Sequence, residues 1–173
     1  MTKYNILVYR APMRMDWERC RQLALVTVGK SFDHSPNLKW QKQMLACEHS
    51  PIRTLMFTIY MEIPYWVSVH FVRHKFGVEH YVRSQRTDRT GEDRSSKRQD
   101  EIVMHVMDIN AQELIFMARR RLCRLASPET RAVMEEIVRQ VIDACPEFEG
   151  VLVKNCEYMG RCPEMRSCGK VKR

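Results

Sequence analysis

Residues 73–86 read Arg-His-Lys-Phe-Gly-Val-Glu-His-Tyr-Val-Arg-Ser-Gln-Arg. A cationic triplet, Arg73-His74-Lys75, and a second basic group, Arg83-Ser84-Gln85-Arg86, bracket a mostly uncharged middle. Guanidinium forks and ammonium groups at that density suit phosphate-bearing ligands, because guanidinium binds phosphate bidentately. Ser84 adds a small hydroxyl able to orient a carbonyl or a ring nitrogen. Most charge runs are solvated faces. This one follows an apolar stretch, Pro64-Tyr65-Trp66-Val67-Ser68-Val69-His70-Phe71-Val72, that anchors its backbone.

Working outward, the chain has 173 residues, enough for one domain with its own core. Residues 1–148 are expected to form that domain, and residues 149–173 a Cys-rich basic tail. Apolar residues at 45% and charged residues at 29% place it among globular chains. A net charge of +8 implies an acidic partner: a nucleotide, a nucleic acid or an anionic surface. No apolar run approaches the roughly 20 residues that span a bilayer, so no membrane role is expected. Seven cysteines behind a start without a signal-peptide core fit a reducing cytoplasm.

The patterning predicts a strand over 5–9 and a helix from an Asp16 cap to Lys30, with Trp17, Leu23, Leu25 and Val28 inward. Ser35-Pro36 predicts the start of a second helix ending near Cys47. Residues 54–62 are rich in β-formers and predict a strand, after which Pro64 opens a helix leading to Arg73. Residues 83–100 hold five arginines, one lysine, four acids and three serines, which predicts a surface loop or arm. Asn110 predicts a helix start running to about Arg124, and Ser127-Pro128-Glu129 another running to Cys145-Pro146. The fold class expected is α+β, with helices packed on a small, mostly antiparallel sheet.

Neither a G-x-G-x-x-G nor a G-x-x-x-x-G-K-[ST] motif is present, so an anion site must come from side chains and helix ends. Cys156, Cys162 and Cys168 recur with five residues between them, and Cys145 lies eleven before the first. Four thiolates can close a tetrahedral zinc site, yet the usual C-x₂₋₄-C spacing is missing, and free or packed thiols are the expectation. Cys20, Cys47 and Cys123 fall on predicted helices as small buried residues. His49-Ser50 lacks a partner acid and reads as turn chemistry. His74, flanked by two cations, suits hydrogen bonding or stacking better than general-acid work. No convincing nucleophile–base pair is present.

The order of these pieces resembles the flavin-dependent thymidylate synthases. That family has an Arg-His-Arg triplet followed by seven residues and a serine, preceded by a Ser/Thr-Pro turn that leads into a strand. Here Ser50-Pro51 precedes the strand, Arg73-His74-Lys75 occupies the triplet, and Ser84-Gln85-Arg86 keeps the Ser-x-Arg. Asn110-Ala111, Arg121 and Glu129 match the family's second half in spacing, so the resemblance spans about residues 38–148. Lys75 replaces the third-position arginine, eight residues instead of seven precede Ser84, and Phe116 stands where the family has an asparagine.

The resemblance implies that Arg73, Ser84 and Arg86 hold deoxyuridylate (dUMP), with Arg86 on the phosphate and Ser84 near the uracil. It implies that Arg121 contacts and polarises the pyrimidine, so that Arg121 and Ser84 are the catalytic candidates. Ser50, His74, Lys75 and Asn110 would face FAD. Methylenetetrahydrofolate would supply the one-carbon unit, NADPH the reducing equivalents and reduced flavin the hydride, without an enzymatic nucleophile. A site shared between subunits of a homotetramer is implied as well. The alternative reading is a homologue without flavin chemistry that binds nucleotide or nucleic acid through the basic 73–98 segment.

Overall fold

The computed structural model describes residues 4–172. Its centre is a four-stranded antiparallel sheet in the order β1-β2-β4-β3, formed by β1 (Asn5–Arg10), β2 (Met56–Pro64), β3 (Val78–Val82) and β4 (Ile102–Asn110). The expected class, helices on a small antiparallel sheet, is what forms. The β2–β4 register pairs Phe57 with Ile109, Ile59 with Met107, Met61 with His105 and Ile63 with Val103. All eight are buried, so one face of the sheet is core. The opposite face carries Thr58, Tyr60, Glu62, Asp108 and Met104, which alternate with them as a period of two requires.

Helices α1 (Arg14–Val26), α2 (Leu38–Ala46), α3 (Tyr65–Val72), α5 (Ala111–Arg121) and α6 (Pro128–Ala144) supply the rest of the core. Phe57 meets Phe148 edge-on at 5.1 Å, and Trp17 Nε1 donates to Glu147 Oε1 at 2.8 Å, so the 3-10 turn Pro146–Phe148 plugs the centre. Each fully buried large side chain contributes about 1.5–3 kcal/mol. The tail after 148 packs onto this body: Leu152 is 4% exposed and joins the core, and the short helix α7 (Asn155–Met159) lies against α5. Among the described residues no helix is long and apolar enough to cross a membrane.

Several element boundaries differ from expectation. Helix α1 begins at Arg14, and Asp16, at its third position, accepts from Met13 N at 2.9 Å instead of being the cap. Val28 lies beyond its end and is exposed. Asn37 caps α2 by accepting from Trp40 N at 2.9 Å, while the Ser35 hydroxyl is committed to Glu18. The β-rich stretch starts as a 3-10 turn, Ser50–Thr54, before β2. Strands β3 and β4 flank the expected surface segment, whose only helical pieces are α4 (Thr87–Thr90) and a 3-10 turn, Arg94–Ser96. α3, opened by Pro64 as expected, runs back over the sheet from the Ile102 end to the Asn110 end, tied at its start by Tyr65 N to Glu101 O at 2.9 Å.

Gly77 and Asn110 close the far end. Asn110 N donates to Gly77 O at 2.8 Å, and Asn110 Oδ1 accepts from Glu113 N at 2.9 Å, capping α5. Gly77 has φ +73°, and a Cβ there would stand 2.4 Å from Asn110 Nδ2. Gly77→Ala therefore combines left-handed strain, about 1–2 kcal/mol, with a displaced cap, about 1 kcal/mol. A loss of roughly 2–3 kcal/mol in urea unfolding is expected; a variant as stable as the parent would contradict the joint.

Candidate functional site

α5 rises from that joint and carries the site's charged groups. His74, just past the C-cap of α3, is 6% exposed and lies between two of them. Its Nδ1 is 2.7 Å from Glu113 Oε1, and Arg121 Nε donates to its Nε2 at 3.1 Å. A guanidinium Nε always carries its hydrogen, so His74 Nε2 is an acceptor and Nδ1 carries the proton given to Glu113. Arg121 Nη2 donates to His70 O at 2.5 Å. Those contacts use Nε and Nη2 and leave Nη1 clear of both. Phe116 stands edge-on to His74 at 5.8 Å, and the Arg120 guanidinium lies over the Phe116 ring at 5.8 Å.

A second chain of hydrogen bonds supports His74 from beneath. His80 Nε2 bonds His74 O at 2.9 Å, His80 Nδ1 meets His105 Nε2 at 2.9 Å, and His105 Nδ1 meets Ser68 Oγ at 3.0 Å. The His74 carbonyl can only accept, which makes His80 Nε2 a donor and its Nδ1 an acceptor. His105 Nε2 must then donate, and the Ser68 hydroxyl donates to His105 Nδ1. With both rings neutral, this one tautomer set satisfies every link. Burial and then the neighbouring His80 push the His105 pKa down to about 4. Burial leads in lowering His80, and burial followed by Arg121 and Arg73 lowers His70.

The electrostatics are dominated by cations. Burial, then Arg73 and Arg120, lowers the Arg121 pKa. Arg120 has Glu164 at 3.2 Å, but neither Arg73 nor Arg121 has a carboxylate partner among the described residues. Two like charges held close without a counter-ion repel one another and favour an incoming anion.

The structure sets His74 against Arg121, whereas Asn110 caps the opposite end of α5, about 16 Å away along the helix axis, with the turn beginning at Ser50 beside it. That turn packs on α5, and Ala111 N donates to Leu55 O at 2.9 Å. Ser50 and Lys75 are exposed, as is Arg73 at the C-cap of α3. Ser84 and Arg86 lie elsewhere. They follow β3, whose start pairs beside Asn110 and whose end pairs with His105. Six residues of extended chain from Val78 to Ser84 carry them about 20 Å away. Arg86 is held by Asp88 through Nε at 3.0 Å and Nη2 at 2.7 Å, and Ser84 Oγ accepts from Arg86 N at 3.2 Å.

Other expectations need correction. Arg119, in the basic last turn of α5, is a buried anchor and not a solvent-facing cation. Its side chain is 12% exposed, ion-paired with Glu48, and stacked 3.5 Å from the Tyr158 ring centroid. The tail covers that face of α5, which helical periodicity alone does not reveal. Cys145 sits in the core with Sγ 3.8 Å from Pro12 O, apart from the tail cysteines, because it ends α6 on the inner side. Cys47 is exposed at the C-cap of α2, and Cys123 is half-buried beyond α5. Glu113, His80, His105 and Ser68 were not singled out from sequence. Only Glu113, three after a capping Asn, carried a local signal.

No protein-family model matches the chain, and no curated protein matches it significantly.

The histidine chain has a direct consequence. A His whose folded pKa lies below its unfolded value stabilises the fold above about pH 6.5, and that contribution is lost as pH falls towards the folded value of about 4. Urea unfolding across that window should show stability falling with acid by up to about 3 kcal/mol from His105. His105→Leu should flatten the slope. A parent profile level between pH 6.5 and 4 would contradict the neutral chain.

Proposed function

We propose that the protein is a flavin-dependent thymidylate synthase-type enzyme, transferring a one-carbon unit from methylenetetrahydrofolate to deoxyuridylate with reduced FAD as hydride source. The observation that carries the reading is the Arg73–Arg121 pair without a counter-ion, beside a buried and fully hydrogen-bonded His74. An anionic, carbonyl-bearing ring suits such a place: Arg121 Nη1 polarises a carbonyl while the positive field stabilises charge gathering on it. His74, fixed by Glu113 and Arg121, positions Arg121 and is not itself free to shuttle protons. Ser50, Lys75 and Asn110 would contact FAD, and the flavin supplies the redox chemistry when bound.

Arg86 and Ser84, remote within one chain, are where a phosphate and a pyrimidine edge would be held. Assembly as a homotetramer would bring the Ser84–Arg86 end of one subunit to the Arg121 end of another. The alternative, nucleic-acid binding through residues 73–98, draws less support. Three cations of that segment are committed locally, as Arg86–Asp88, Arg98–Asp100 and Lys97 with Glu92 and Glu101. Tyr81 is its only exposed stacking ring besides Phe76.

Two measurements test the reading. Purified protein should show the visible absorption of oxidised flavin, either as isolated or after incubation with FAD and deoxyuridylate; no band under either condition would refute it. Calorimetric titration should show Arg121→Ala weakening deoxyuridylate by roughly 10–100-fold, the value of a charged hydrogen bond of about 1.5–3 kcal/mol. Arg119→Ala should instead lower stability, because Glu48 loses its ion pair, while the affinity of the folded fraction stays near the parent's. Steeply salt-dependent binding of single-stranded DNA with no response to the nucleotide would favour the alternative.

A further inference from the structure

Past the end of α5 lies a cavity that the nucleotide site does not use. It measures about 280 Å³ and is built from the residues just after α5, from α7 and from the tail beyond it. Leu125, Pro163 and Val171 line it, together with four free cysteines that include Cys156 and Cys162. A free cysteine packs as a small hydrophobe, so the sulfurs extend the apolar wall. Among the described residues no group of three or more His, Cys, Asp or Glu could hold a metal ion, and the cysteines are lining, not ligands.

Five charged side chains also line the cavity, and they are not equally committed. Lys154 is paired with Glu157 at 2.9 Å, and Glu164 with Arg120 at 3.2 Å. The side chains of Arg124 and Lys170 have no hydrogen-bond or ion-pair partner among the described residues. Both are exposed, whereas Cys162 is buried and Cys156 and Pro163 are half-buried. The cavity therefore offers an apolar interior with two uncommitted cations on its solvent side. Small-molecule sites are commonly built this way, mostly apolar with a few polar groups that fix orientation.

We propose that this cavity binds a small organic monocarboxylate. Its head would lie against Arg124 and Lys170, and its apolar body against Leu125, Pro163, Val171 and the sulfurs. A guanidinium and an ammonium suit a carboxylate, which accepts from both. The two lining carboxylates, Glu157 and Glu164, select against a more highly charged head such as a phosphate dianion. Asn155 adds an amide donor for the same head. The net charge of +8 draws anions of this kind towards the chain. The proposal stands apart from the nucleotide reading, since none of these residues belongs to the Arg121 site.

The test titrates the full chain by calorimetry with straight-chain carboxylates from butanoate to octanoate. Octanoate should bind once per chain, and affinity should rise about fourfold for each methylene added. Octan-1-ol, with the body but not the charge, should bind about tenfold more weakly than octanoate. The double variant Arg124→Gln, Lys170→Gln alters only exposed side chains and should weaken octanoate by about tenfold while leaving octan-1-ol unchanged. On the parent chain, octanoate should slow alkylation of Cys156 and Cys162, read by mass spectrometry, while the exposed Cys47 reacts at its usual rate. Affinity that ignores chain length, octan-1-ol as tight as octanoate, or undiminished binding in the double variant would overturn the proposal. So would displacement of octanoate by inorganic phosphate or by deoxyuridylate, or labelling of Cys156 and Cys162 that octanoate does not change.

Discussion

Asn110 ends β4 and opens α5 within one residue, with its backbone N–H on Gly77 O at 2.8 Å and its side-chain oxygen on Glu113 N at 2.9 Å. Everything that faces His74 inherits its position from that joint. Capping at Asn110 sets the rotation of α5, which puts Glu113 on His74 Nδ1 and lets Arg121 reach back to His74 Nε2. Gly77 makes the joint possible, because any Cβ would occupy the space of the Asn110 amide. A cap is ordinarily worth about 1 kcal/mol. Here it also fixes the angle between a sheet and the helix that bears the site.

The interior beneath His74 is unusually polar for a small core, and it is tolerated because each group is satisfied. Ser68, His105, His80 and the His74 carbonyl form a chain with one consistent direction of donation. A chain of that kind is rigid: turning one ring breaks two bonds, and unpaired buried groups cost about 1–3 kcal/mol each. That rigidity fixes the ring on which Arg121 Nε rests, and Arg121 keeps its place through His74 and the His70 carbonyl with no carboxylate partner among the described residues.

Much of the architecture was legible. The Pro64 start of α3, the Asn110 cap of α5 and the Ser127-Pro128 start of α6 follow from side-chain chemistry within four residues, and all three form as read. β4 was hidden because its buried positions are Val103, His105, Met107 and Ile109. A histidine and a methionine in an alternating row dilute the β signal, and His105 is inside only because Ser68 and His80 satisfy it. Asp16 has the chemistry of a cap but acts from the third position inside the helix. Arg121 was legible from its spacing after Asn110; the burial of Arg119 was not, because the tail that covers it comes from residues beyond 150.

The central claim is that Arg121, held by His74 and the His70 carbonyl, is the group that meets a nucleotide. The guanidinium Nε–H of Arg121 can be observed directly by nitrogen–proton correlation NMR and assigned by its loss in Arg121→Lys. Its bond to His74 shields it from exchange with water, so it should be visible in the free protein. Added deoxyuridylate should shift that resonance in a saturable manner, with no comparable shift of the Arg119 signal. An Arg121 signal that stays fixed while other resonances report nucleotide binding would contradict the account.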